Sequence, residues 1–149
     1  MEVTRHFTAT TFIVFDNKVL LHKHKKLRRW LPVGGHIDRD ELPLDAAKRE
    51  VLEEAGLEVE FYQGEQKFLR TEDVKSLPVP AHLLLEDINP FHQHIDFVYF
   101  ARSSSDEILP EAEEFGNLYW FSLDQLEKTE DMPEDVKILA REAVQLLGK

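Results

Sequence analysis

Three observations predict an α+β fold. Short runs of β-branched and aromatic residues, separated by turn signals, fill most of the chain. One helix-length segment with an apolar stripe sits among them at residues 43–56, and a second helical pattern closes the chain at residues 133–147.

The elements follow in order. Residues 8–15 are rich in β-branched and aromatic side chains, Asp16-Asn17 signals a turn, and residues 19–23 resume the alternation, which together read as a β-hairpin. A basic run follows, HKHKKLRRW at residues 22–30 and centred near Lys25; it reads either as a solvated hairpin end or as a phosphate-facing patch. Residues 30–37, WLPVGGHI, carry paired glycines that permit close backbone approaches, and we read a functional loop there. Pro43 suits the first turn of a helix and Gly56 suits the position just past its end. Ala47, Val51 and Ala55 give that helix a buried stripe, with Glu50, Glu53 and Glu54 facing elsewhere. Residues 57–61, 66–70, 82–86 and 95–102 read as further strands, broken by signals around Gly64, Pro78, Pro80 and Pro90. After a short last strand at residues 119–121, Ser122 with Gln125 forms a capping-box pattern for a helix ending near Glu127. The final helix runs from Pro133 to Leu147, with Val136, Ala140, Ala143 and Leu147 on its apolar face. With no repeat, low-complexity tract or linker, the 149 residues are expected to form one domain, 1–149.

Composition narrows the function. A net charge of -11 repels a nucleic acid backbone, so a polymeric nucleic acid is a poor expected partner, and an anionic substrate would need metal ions as intermediaries. No apolar run approaches a membrane span and no signal-peptide pattern opens the chain, so a soluble, cytoplasmic protein without a membrane partner is expected. Cysteine is absent, which leaves histidine and carboxylate as the reactive groups.

The segment REVLEEAG, residues 49–56, concentrates that chemistry. Residues three and four apart on a helix are neighbours, so Glu50, Glu53 and Glu54 repel one another with only Arg49 beside them. At about 5 Å and an effective dielectric near 20, each repulsion is roughly 3 kcal/mol before screening. Such an arrangement wants a cation, and hard cations such as Mg²⁺ take oxygen ligands that carboxylates at this spacing supply.

Read from Gly35, the stretch GHIDRDELPLDAAKREVLEEAGL resembles the Nudix box, the signature of hydrolases that cleave nucleoside diphosphates linked to another moiety. Gly35, Glu41, Arg49, Glu50, Val51, Glu53, Glu54, Gly56 and Leu57 meet every position of that pattern. At background residue frequencies such a coincidence has a chance on the order of 10⁻⁹ per window. The Trp-Leu-Pro element and the YWFSLDQL stretch from Tyr119 also resemble family features; Leu31-Pro-Val-Gly-Gly35 departs from the commoner Leu-Pro-Gly-Gly by one valine. The resemblance implies a three-layer α/β/α sandwich around a mixed β-sheet. It implies a Mg²⁺-dependent pyrophosphohydrolase, with Mn²⁺ as a substitute, in which water attacks phosphorus of a small-molecule nucleotide. Glu50, Glu53 and Glu54 would be metal ligands with the Gly35 carbonyl a further one; Glu53, Glu54 and Arg49 would form the catalytic set, Arg49 orienting Glu41 and Glu53 through ion pairs. Many relatives are homodimers, which leaves that state open here.

Alternatives stand beside this reading. The general base is either a box glutamate or a loop carboxylate among Glu111, Glu113 and Glu114, whose plainer reading is a solvated acidic loop. His92, His94 and Asp96 alternate along a strand and so share a face; a zinc site would need a further ligand, which leaves a polar face or contact with the nucleotide or its leaving moiety. A non-catalytic nucleotide- or metabolite-sensing module is the competing function, against which the intact glutamates argue. The substrate is not fixed by the box.

Overall fold

The computed structural model describes residues 2–111 and 117–149. Its strands are β1 (Thr4–Phe15), β2 (Lys18–Lys23), β3 (Trp30–Leu31), β4 (Val33–His36), β5 (Val59–Phe61), β6 (His82–Asn89), β7 (His92–Ser103) and β8 (Leu118–Ser122). The helices are α1 (Pro43–Ala55), α2 (Leu123–Lys128) and α3 (Glu134–Leu147).

All eight strands belong to one mixed sheet, in which β3, β2, β1, β7 and β5 follow one another while β4 pairs with β1, β6 with β7 and β8 with β2. Among the described residues only the long central pair β1–β7 is parallel, and it runs in register from Thr4 opposite His92 to Val14 opposite Arg102. Every other pairing is antiparallel. A chain that alternates along β1 must present different side chains to the two sides of the sheet. One side, with Phe12, Val14, Val98 and Phe100, packs against Leu126 of α2 and Val136, Leu139, Ala140, Ala143 and Val144 of α3. The other side, with Ala9, Ile13 and Val33, packs against Ala46, Ala47, Val51 and Ala55 of α1. Helix, sheet and helix pair therefore make three layers, the sandwich that the box implies.

The local signals near the helices hold. Pro43 opens α1, and Gly56, at φ 64°, closes it while its amide donates to the carbonyls of Val51 and Leu52. Ser122 and Gln125 form the reciprocal capping box of α2, with the Gln125 amide 3.2 Å from Ser122 Oγ and the Ser122 amide 2.8 Å from Gln125 Oε1.

Two expectations need correction. Residues 30–37 are mainly strand, since β3 pairs with β2 and β4 lies along β1 from Thr11–Val33 to Thr8–His36. The paired glycines serve this pairing: a Cβ on Gly34 would lie 2.5 Å from the Ala9 carbonyl oxygen. Residues 66–70 form no strand, and only an isolated bridge links Arg70 to Lys75. Their polar groups close on one another instead, through Leu69 to Ser76 Oγ, Thr71 to the Val74 carbonyl and Gln66 to Val79 and Leu77, leaving Phe68 and Leu69 exposed.

Candidate active site

The buried stripe of α1 sets the carboxylates. Ala47, Val51 and Ala55 are fully buried against the sheet, as the spacing predicts. Glu54 lies seven residues beyond Ala47 and so falls on the same stripe; it is 4% exposed and does not face away with its neighbours. Its carboxylate accepts the Gly34 amide, at 3.1 Å to one oxygen and 3.4 Å to the other, which stitches α1 to β4. Burial, and next the charge of Glu50, push the Glu54 carboxyl up to about 8. Glu50 is raised too, mainly by burial, with Arg49 opposing.

Arg49 is the counterweight. Its Nε and Nη2 grip Glu41 in a two-pronged contact at 2.7 and 2.9 Å, its Nη1 reaches Glu50 at 3.0 Å and Glu53 at 3.3 Å, and Nη2 also donates to the His36 carbonyl at 3.2 Å. The guanidinium holds the Glu41 carboxyl well below the usual carboxylate range, helped by the Asp38 amide. The expected pairs to Glu41 and Glu53 are thus present, and Glu50 joins them.

Gly35 is cut to fit Glu50. A Cβ there would lie 2.5 Å from Glu50 Oε1, so only glycine lets that carboxylate rest against the strand. Gly35, Glu50 and Glu54 therefore come together where β4 passes the second half of α1, and Glu53 is linked to Glu50 through Arg49. This donor set suits Mg²⁺: the oxygens are hard, Glu54 has no basic side-chain partner among the described residues, and the neighbouring charge of Glu50 disfavours its ionised form, a repulsion that a cation would offset. Mg²⁺ takes one or two carboxylates together with substrate oxygens and water, so all three side chains need not converge.

The C-terminal end of α1 is sealed by the segment after β7. The Leu109 amide donates to the Ala55 carbonyl and the Glu111 amide to the Glu53 carbonyl, both at 2.8 Å. Glu111 is exposed there, beside the box, while Glu113 and Glu114 lie outside the described residues.

Other expectations resolve differently. The basic run forms the turn between β2 and β3, where Lys23 pairs with Asp131 at 3.3 Å and, with Trp30 and Tyr119, lines an open cavity of about 620 Å³. Asp96 parts company with the two histidines: it is 3% exposed and accepts the Thr8 and Thr10 hydroxyls at 2.9 and 2.8 Å, and burial raises its carboxyl while those two hydroxyls oppose the rise. His92 and His94 stand instead with His6 and His36, which sequence reasoning missed. Strand alternation does place His6 on the face of Thr8, but its pairing with His94 depends on a parallel register across 88 residues. Burial, and then the neighbouring His36, His92 and His6, lower the His94 imidazole.

Among the described residues no helix is long and apolar enough to cross a membrane. The NUDIX domain model matches residues 4–141. The chain is 41% identical to a NUDIX-family hydrolase of Clostridium perfringens whose crystal structure superposes with a TM-score of 0.84, over 97% of this chain and 99% of that one. A MutT NUDIX hydrolase from Burkholderia pseudomallei, 24% identical, shares the fold with a TM-score of 0.67 over 93% of this chain and 97% of its own. Among curated proteins, one of Lactococcus lactis subsp. cremoris (strain MG1363) named "Probable DHNTP pyrophosphohydrolase" is 28% identical over 130 residues, 87% of this chain and 68% of that protein.

Proposed function

We propose that this chain, which belongs to the NUDIX family and is a hydrolase of phosphorus-containing anhydrides, is a Mg²⁺-dependent pyrophosphohydrolase that cleaves the diphosphate linkage of a nucleoside diphosphate derivative or nucleoside triphosphate. The observation that carries this reading is the buried Glu54 carboxyl, held by the Gly34 amide beside the charge of Glu50 and, among the described residues, without a basic side chain of its own. A structural ion pair would have given it one.

In this reading Glu50, Glu53 and Glu54, with the Gly35 carbonyl, hold the metal. When bound, Mg²⁺ supplies a Lewis acid for the diphosphate oxygens and lowers the pKa of attacking water. The chain's own groups do the rest. Arg49, through its grip on Glu41, Glu50 and Glu53, fixes which way the carboxylates point. The Gly34 amide holds one end of Glu54, and a carboxylate accepts the proton of the water as it attacks phosphorus. The candidates for that acceptance stay a box glutamate, of which Glu53 is the least buried, or a loop carboxylate such as Glu111, whose amide is bonded to the Glu53 carbonyl. Small nucleotides fit the net charge of -11 better than a polymer does, because a few phosphates need only local neutralisation.

The test is turnover of a nucleotide panel that includes DHNTP, dinucleoside polyphosphates, ADP-ribose, nucleotide sugars and damaged nucleoside triphosphates. Products are followed by chromatography with Mg²⁺ and with a chelator. Cleavage of one class that disappears with the chelator supports the proposal and names the substrate. Binding of a nucleotide with Mg²⁺ present but without cleavage would overturn it in favour of a sensing module.

A further inference from the structure

The side chains of four histidines at one end of the central strands, His6, His36, His92 and His94, take no part in the chemistry above. We propose that His6, His36 and His94 form a binding site for one divalent transition-metal ion of the Zn²⁺, Co²⁺ or Ni²⁺ class, distinct from the carboxylates of α1.

The residues come from three separate strands. In the parallel β1–β7 ladder His6 lies opposite His94, and in the antiparallel β1–β4 pairing His36 lies opposite Thr8, two residues along the same face from His6. One ligating nitrogen from each ring lies within 4.8 Å of the others, and this is the one such group of three or more found among the described residues. A tetrahedral Zn²⁺ site, with Zn–N near 2.0–2.1 Å, sets its nitrogens about 3.3 Å apart, so the widest gap must close by about 1.5 Å at most. Side-chain rotation supplies that movement, because His6 and His36 are exposed and, among the described residues, no hydrogen bond pins any of the three rings.

The surroundings favour a metal over a plain polar face. His92 stands beside the trio, its ring 4.6 Å from that of His6 and 4.9 Å from that of His94. Its Nδ1 lies 3.0 Å from the Thr4 carbonyl and donates to it, an arrangement that fixes the ring and leaves Nε2 as the nitrogen that could reach a metal. Imidazole nitrogen selects borderline metals, whereas Mg²⁺ prefers oxygen, so two neighbouring sites would sort two ions by ligand chemistry. His6 and His36 are exposed, so a water, or His92 beside them, could serve as fourth ligand. A metal here would also bear on the active site, since His36 follows Gly35 and its carbonyl accepts Arg49 Nη2.

The test uses the full chain, stripped with a chelator and then given saturating Mg²⁺ to occupy the carboxylates. Co²⁺ is titrated and followed by its visible absorption, and Zn²⁺ stoichiometry is measured by equilibrium dialysis, for the unaltered protein, His6→Asn, His94→Asn and Glu53→Gln. The expected result is one bound ion with the intense bands of tetrahedral cobalt. Its affinity falls by about 100-fold or more in each histidine variant, since loss of even an outer supporting group costs about 10–100-fold, and is unchanged in Glu53→Gln. Equal binding by all the proteins, loss only in Glu53→Gln, or no binding by the unaltered chain would overturn the site. Should a variant fail to fold, Co²⁺ broadening of the imidazole NMR signals of His6, His36 and His94 in the unaltered protein decides the matter. Rings that stay sharp would refute the proposal.

Discussion

Replacing Gly35 and Gly34 by alanine, one at a time, should separate catalysis from folding. At Gly35 the new Cβ would meet Glu50 Oε1 at 2.5 Å, Cδ at 2.8 Å and Oε2 at 3.1 Å. An ordinary contact needs about 3.4 Å, so the Glu50 carboxylate must retreat by about 0.9 Å, which the end of a flexible side chain can do. The loss of backbone freedom in the unfolded chain favours the alanine variant by about 0.4–1 kcal/mol, which offsets much of the displacement. Stability should therefore stay within about 1 kcal/mol, or about 2–4 °C in Tm. Turnover should not survive as well, since a misplacement of about 1 Å costs roughly 100-fold. At Gly34 the obstacles are the Ala9 carbonyl oxygen at 2.5 Å and the Thr10 Cα at 2.9 Å, both main chain of the central strand. Nothing there can swing aside, and the strain should cost about 1–3 kcal/mol or more. Thermal melts and kcat, measured on the same preparations, give the comparison. Full turnover in Gly35→Ala would refute the placing of Glu50 at the metal, and equal melting of the two variants would refute the contact geometry.

Further outcomes follow from the same geometry. Arg49→Lys keeps a charge but loses the fork on Glu41, so kcat should fall by roughly 10-fold or more in a steady-state assay while Mg²⁺ still binds. Gly56→Ala should cost more than about 1 kcal/mol in a denaturant melt, because the αL conformation disfavours alanine and a Cβ would collide with the Leu109 carbonyl. Burial first, then Asp96 and Asp135, raise the Glu86 carboxyl above its unfolded value near 4.3. The folded chain then holds more protons than the unfolded one above that pH, so this group's contribution is present at low pH and fades as pH rises through the folded pKa. Glu86→Gln, which keeps a donor for Asp96, should flatten the decline in Tm between about pH 5 and pH 8. An unchanged slope would show that Glu86 is ionised in the fold.

What was legible in the sequence was local. Pro43, Gly56, Ser122 and Gln125 mark helix ends through contacts a few residues apart, and each lies where its chemistry predicts. The box singled out the carboxylates and Arg49 because they follow one another at fixed spacing along one helix. The burial of Glu54 was readable and missed, since seven residues separate it from Ala47, two helical turns on the same stripe. The histidine group was not readable, because it is assembled by pairings between β1, β4 and β7 that no local pattern specifies. Residues 66–70 misled for the converse reason: Phe68 and Leu69 suit a strand, yet the turn around Thr71 and Val74 satisfies the backbone without a partner strand.

The central claim, that the carboxylates of α1 direct water onto phosphorus, is tested most directly by turnover of the cleaved nucleotide in ¹⁸O-water, with Mg²⁺, for the unaltered chain, Glu53→Gln and Glu54→Gln. The account predicts one ¹⁸O in a phosphate-bearing product of the unaltered protein, and a loss of rate by roughly 100-fold or more in both variants while each keeps its folded circular dichroism. Full activity in both variants, or product phosphate without label, would contradict it.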